Sequence, residues 1–485
     1  QLYCYENELT SLDVSANTAL TQLWCNNNQL TSLNVSSNTA LTELRCENNE
    51  LTYLNMKNGI TDQLITFDAT GNSLDCIEVL DPAWATENWT NYIDEGVSFA
   101  VCCDLGDVSH WYVTTTGSDT DCGNSEETPF ATIQLGIGSS DNGDTVSVAA
   151  GTYIENINFN GKDIAVLGAG RESTIIDGNQ VGSVVTFSGG EYSLLKLSGF
   201  TITNGNAQTT AGGGGILCIN TGPVLENLLI MNNQSIISGG GLAIIAEESD
   251  AAVISNCIFK ENQVDGLVNG GAIHMDQCNP TIEYNLIYDN SSGIVVSSDA
   301  TPTIKNNTIV LNETHGMSVY GTPIISNSII WGNTDQQIEL NNGSVDITYS
   351  TVEGSWEGAG NIDQDPLFVN AGSGDYNLQW GSPAIDAGDP SSNPDPDGTV
   401  SDMGALYYDQ SYQPPDPPVG LSYVPGSGEV TLSWTANEET DLTHYVVYKG
   451  LAPDALDSLA VVAEPAVEYV DTALDPTVIN YYALT

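Results

Sequence analysis

Apolar positions in this chain return at long, fixed intervals rather than along helical stripes. Leu2-Tyr-Cys4, Leu23-Trp-Cys25 and Leu44-Arg-Cys46 recur every 21 residues, each followed by an Asn and a Leu: Asn7 and Leu9, Asn28 and Leu30, Asn49 and Leu51. Phe67, Ala69, Asn72 and Leu74 form a degenerate fourth copy. Such a period predicts stacked coils with one short strand each, an inward Leu, and an Asn side chain satisfying backbone groups at the turn. Cys4, Cys25 and Cys46 are expected to fill a small inward position. Lone thiols about 4.8 Å apart make no tetrahedral metal site.

Beyond a linker-like stretch at 104–109, a longer repeat takes over. Asparagines recur at Asn204, Asn233, Asn262, Asn290, Asn312 and Asn333, spaced by 29, 29, 28, 22 and 21 residues, each after a β-rich run such as Leu229-Ile-Met or Ile309-Val-Leu. Each leads into a second strand, as in Gly241-Leu-Ala-Ile-Ile and Gly316-Met-Ser-Val, and a third follows, as in Pro280-Thr-Ile and Pro302-Thr-Ile. Three strands per turn predict a right-handed parallel β-helix with asparagines stacked at one corner and glycines at the tight bends.

The short repeat resembles bacterial leucine-rich repeats, and its ending, Cys76-Ile-Glu-Val followed by Trp84, Trp89 and Cys102-Cys103, resembles their C-terminal cap. That resemblance implies a bridge from Cys76 to Cys102 or Cys103, with Cys122 the fourth member of the cysteine cluster. Thr128-Pro-Phe-Ala-Thr-Ile-Gln and Gly143-Asp-Thr-Val-Ser-Val resemble the opening of secreted pectate-lyase-like β-helix proteins. Asp365-Pro-Leu-Phe-Val through Gly381-Ser-Pro-Ala-Ile-Asp-Ala-Gly resembles the terminal module of similar surface proteins. Past the stiff Pro414-Pro-Asp-Pro-Pro linker, Gly428-Glu-Val-Thr-Leu-Ser-Trp434 and His444-Tyr-Val-Val-Tyr-Lys resemble a fibronectin type III sandwich. The expected fold is therefore mainly β: leucine-rich repeats over 1–104, β-helix over 105–410, and an incomplete fibronectin-like sandwich over 411–485. With the first coil uncapped and the last strand missing, the chain reads as a segment of a longer polypeptide or one completed by a neighbour.

Charge narrows the partners. Acidic residues number 63 against 8 basic ones, a net charge of −55, while 40% hydrophobic content supports packed domains. The scattered Lys and Arg exclude nucleic acid and disfavour anionic membranes and acidic polysaccharides. No apolar run is long enough to span a membrane. The chain begins at Gln1 without a leader, so any export signal is expected to have been removed or to lie outside it. Asn393, Asp395, Asp397 and Asp402 place oxygen donors around Gly398 in the manner of a calcium loop. Seven Asn-x-Ser/Thr triplets occur; Asn34, Asn88 and Asn342 are candidate glycosylation sites, whereas Asn233, Asn290 and Asn312 serve the corner and Asn306 also forms a triplet.

No catalytic set assembles from the pattern. Lys260 and Lys305 lack a partner cluster, and Asn333-Thr-Asp335 with His315-Gly316 stands in reversed order relative to polygalacturonase-type hydrolases. On the strand after each corner asparagine, Leu217, Ile219, Ala243 and Ile245 face outward and form an apolar stripe, expected to be covered by the chain or by a partner. His274 and Asp276 are the only acid/base pair on that face. The resulting expectation is an extracellular, secreted, non-catalytic structural or adhesion protein, a subunit of a surface fibre or layer. It would contact copies of itself, other surface proteins or glycans. The alternative is a carbohydrate-active enzyme (a polysaccharide lyase or glycoside hydrolase) or a carbohydrate-binding protein using a groove at His274, Asp276, Tyr320 and Glu339.

Overall fold

The computed structural model describes residues 1–485 except 60–63, 104–107, 190–194, 209–211, 246–251, 266–269, 412–417, 438–442, 454 and 475–476. Most of both predicted linkers, at 104–109 and 414–418, thus lies outside the described residues. The chain divides into two compact units, residues 1–408 and 409–485.

The first 100 residues form short coils, and from the second coil on each has two strands instead of the single one expected. One sheet stacks Leu2–Tyr3, Gln22–Trp24, Glu43–Arg45 and Thr66–Asp68; the other stacks Ser32–Asn34, Tyr53–Asn55, Cys76–Glu78 and Ser98–Ala100. The second strand forms because Leu33 and Val35, Leu54 and Met56, and Ile77 and Val79 repeat a period-two alternation and bury its inward side. At the turn, Asn49 does what its spacing predicts: its amide donates to the carbonyls of Cys25 and Cys46, both at 3.1 Å, and its Oδ1 accepts from Leu30 N–H. Cys25 and Cys46 are fully buried, and burial pushes the Cys25 thiol up to about 12, so both are inert fillers. The helix Pro82–Trp89 closes the coils, with Asp81 capping it at Trp84 N–H and Trp89 lying 4.5 Å from Phe67.

The two solenoids belong to one compact unit because they are stapled together. Cys76 bonds Cys103, while Cys102 bonds Cys122 across the junction. Just past the strand Ser98–Ala100 the chain bends, and the neighbouring Cys102 and Cys103 take different partners. Beneath the second bridge Lys57 lies buried, its Nζ 3.6 Å from Glu78 and 3.7 Å from both bridge sulfurs.

The β-helix is built of three long parallel sheets and a short one of three strands, Asn206–Ala207, Gln234–Ser235 and Gln263–Val264. The first has ten strands from His110–Val113 to Asp346–Thr348; the second has nine from Gly151–Ile154 to Thr351–Val352; the third has eight from Ile157–Asn158 to Ile338–Leu340. Inward Ile, Val, Leu and Phe make one continuous core along the axis. Helix Ile133–Ser139 plugs the leading end with Ile133 and Ile137, and Lys162 donates to three carbonyls at its C-terminal end.

Two corners carry stacked amides. At the second-to-third corner, Asn233, Asn262, Asn290, Asn312 and Asn333 form a buried ladder, each amide donating to the next Oδ1 until Gln337 ends the row. Asn204 is not its first rung. Thr203 pairs in register with Met231, so Asn204 falls beside Asn232, where the backbone is left-handed, and Gly205 takes the ladder position. A second ladder, unforeseen from the sequence, runs through Asn285, Asn307, Ser328 and Ser350 at the first-to-second corner.

Residues 365–408 fold back over the outer wall of the second sheet. Tyr376, Leu378, Ala384 and Met403 pack on Leu286, Val310 and Ile329. Unit 409–485 is a sandwich of two three-stranded antiparallel sheets around Trp434 and Tyr445, with rings 5.3 Å apart. Tyr481–Leu484 joins the long strand His444–Ala452.

Candidate functional site

The outer wall of the third sheet is where catalytic groups were sought. Register places Leu217, Ala243, His274, Val295, Ser318 and Glu339 in one row. Leu217 and Ala243 are buried, at 8% and 0% exposure, and Ile219 and Ile245 are half-buried. Their cover is the chain's own glycine-rich approach to each strand. Gly213 and Gly239 have φ of +71° and +57°, and a β-carbon at either would sit 2.8 Å from Leu217 Cβ or 2.9 Å from Ala243 Cβ.

His274 is half-buried between Ala243 and Val295; its Nδ1 is buried without a hydrogen-bond partner. Burial holds its pKa below the ordinary imidazole value despite the nearby Asp276 charge. Three strands further on, two residues singled out separately from the sequence meet. His315 Nε2 is 3.5 Å from Glu339 Oε2, which also accepts from Ser318 Oγ at 3.2 Å and Asn341 Nδ2 at 2.8 Å. Burial and the Glu339 charge raise the Tyr320 phenol. Ser318 donates to the carboxylate rather than to the imidazole, so no nucleophile–base relay forms. His274 and Glu339 stand three strand spacings apart, roughly 14 Å.

The carboxylates of the expected calcium loop are hydrogen-bonded within the chain. Asp402 is buried and both its oxygens accept main-chain N–H groups, from Asp386 at 2.7 Å and Tyr408 at 2.6 Å. Asp395 Oδ2 accepts from Asp402 N–H, Asp397 Oδ1 from Thr399, and Asn393 is exposed. Among the described residues, the only three His, Cys, Asp or Glu ligand atoms within 4.8 Å of one another belong to Glu78, Cys102 and Cys122, and those cysteines form a disulfide. The acidic loop is a hydrogen-bonded turn: burial pushes Asp402 up to about 6, against the lowering effect of its N–H donors.

All eight basic side chains are engaged. Ion pairs join Arg45 to Glu47, Lys57 to Glu78, Arg171 to Glu172, Lys196 to Glu226, Lys260 to Glu261, Lys305 to Glu283 and Lys449 to Asp471, and Lys162 caps its helix. Among the candidate glycosylation sites Asn34, Asn88 and Asn342 are exposed, whereas Asn233, Asn290, Asn306 and Asn312 are buried. No helix among the described residues is long and apolar enough to cross a membrane.

Comparison with known proteins bears on the β-helix. No curated protein matches the chain. Pectate lyase Pel9A aligns with 17% identity and TM-score 0.32 over 61% of this chain and 96% of its own. The complex of XylC with xylose aligns with 11% identity and TM-score 0.31 over 77% and 100%. A rhamnogalacturonan lyase gives 14% and 0.27 over 62% and 97%. Residues 231–370 match the family described as right handed beta helix region.

Proposed function

We propose that this chain is a non-catalytic extracellular scaffold, a subunit of a surface fibre or layer that touches copies of itself, other surface proteins or glycans. One observation carries the reading: Asp276 and Glu339 on the third wall do not form a carboxylate pair, although His315 contacts Glu339. Paired-carboxylate glycosidases hold their two acids about 5–9.5 Å apart, whereas Asp276 and Glu339 are separated by three strand spacings, roughly 14 Å or more. Two disulfides support an oxidising compartment. With every cation already paired within the chain, a large excess of carboxylates faces the surroundings, which favours saline or cation-rich media. Incubation with neutral and acidic polysaccharides, followed by assays for new reducing ends and for unsaturated products, tests the reading. No turnover is expected; turnover that vanishes in Glu339→Gln overturns it.

The second reading, a carbohydrate-active enzyme, is favoured by the His315–Glu339 contact. In that case Glu339 would act as the single carboxylate acid or base, and the same variant would separate the two.

A further inference from the structure

The left-handed corner between the first and second sheets presents one residue per coil along a file: Asn227, Asn256, Tyr284, Asn306 and Asn327, with φ between 48° and 55°. The later members are buried under residues 365–408 and hold them. Asn306 Nδ2 donates to Ser401 Oγ and Asp402 O, both at 3.3 Å; Asn327 Oδ1 accepts from Asp389 N–H at 2.7 Å, and its Nδ2 donates to Ser392 Oγ at 3.2 Å. The earlier members, Asn227 and Asn256, are exposed, and their amides have no hydrogen-bond partner among the described residues.

Both residues line a cavity of about 580 Å³ that Leu406, near the end of the covering segment, also lines. Arg171 reaches across two coils into the same space, donating to Asn256 O at 2.9 Å; Glu226 and the ring of Tyr284 complete the rim. Amide, guanidinium and carboxylate groups together offer both donors and acceptors at fixed positions, and an aromatic face lies beside them. A hydroxyl both donates and accepts, so vicinal hydroxyls on an apolar ring suit this set. The volume lies within the range of small-ligand sites. Arg171 is paired with Glu172 and Glu226 with Lys196, and the chain as a whole repels anions, so a charged sugar has no advantage there.

The geometry points to a binding site for a neutral mono- or disaccharide in the cavity between Asn227, Asn256, Tyr284, Arg171, Glu226 and Leu406. It stands apart from the third wall and holds whether or not the chain is a scaffold. Saturation-transfer NMR on the full chain with glucose, galactose, mannose, xylose and cellobiose tests it, with galacturonate as the anionic counterpart. Binding of at least one neutral sugar is expected with Kd on the order of 1 mM. The double variant Asn227→Gly, Asn256→Gly keeps the left-handed turns while removing both amides, and is expected to weaken binding about tenfold or more; Tyr284→Asn weakens it through loss of the ring. A matching circular dichroism spectrum and melting curve show that the variants fold. Transfer to galacturonate alone, transfer that survives the double variant, or none to any neutral sugar at about ten times that Kd overturns the site.

Discussion

The second and third sheets of the β-helix share a core, yet their outer walls are closed by different means. The second wall is covered by a separate segment, residues 365–408, whose Tyr376, Leu378 and Met403 pack on Leu286, Val310 and Ile329. The third is covered, at Leu217 and Ala243, from within the coil itself, where the glycine-rich approach lies on them. A separate cover is a layer that can open as a unit; a cover built into the coil is removable only by disturbing the coil itself. Stability should therefore fail in one step on the third wall and in two on the second.

The largest effect is expected at Gly214. A β-carbon there meets Gln234 O at 2.3 Å and Gly240 O at 2.5 Å, backbone on both sides. Gly214→Ala should cost at least about 3 kcal/mol and lower the melting temperature of the whole first unit. Gly138→Ala, where the new carbon meets nothing within 4 Å in a helix, should be neutral or stabilising and serves as the control. Met403→Ala should cost about 2–5 kcal/mol, but confined to the separate cover: limited proteolysis should nick residues 365–408 while the coils still melt near the wild-type temperature. A coincident loss of both would erase the contrast.

The smallest effect is set by pH. Asp402 is raised to about 6 in the folded chain, above its ordinary value when unfolded. The stabilisation from its bound proton is therefore complete below about pH 4 and is lost as pH rises through 6, up to about 3 kcal/mol in all. Hydrogen-exchange protection over residues 365–408, corrected for the base-catalysed intrinsic rate, should be higher at pH 5 than at pH 8, and Asp402→Asn should flatten that difference. A cover equally protected at both pH values removes Asp402 as its pH-sensitive element.

Periodicity made the coils legible because stacking demands it: every inward position in one coil faces its counterpart in the next. Register was less legible. Asn204 joined the asparagine series at an interval of 29, but strand pairing sets that step at 28, which puts Gly205 on the ladder. The second ladder was hidden because it mixes Asn285 and Asn307 with Ser328 and Ser350, which a search for one repeated residue passes over. Leu217 and Ala243 read as a bare apolar stripe because main chain, not a matching side-chain pattern, covers them. The calcium expectation at Asp395 and Asp402 followed donor spacing alone. Those carboxylates are instead oriented by N–H groups from residues close in sequence, which spacing does not reveal.

The bridge between Cys102 and Cys122 has a mechanical consequence. It joins residues 20 positions apart, so tension drawn along the backbone is carried past the intervening segment, in which His110–Val113 is the opening strand of the first sheet. A pulled molecule would pass load from one solenoid to the next through sulfur until a thiol reductant severs the link, and only then would the load fall on that strand's own pairing.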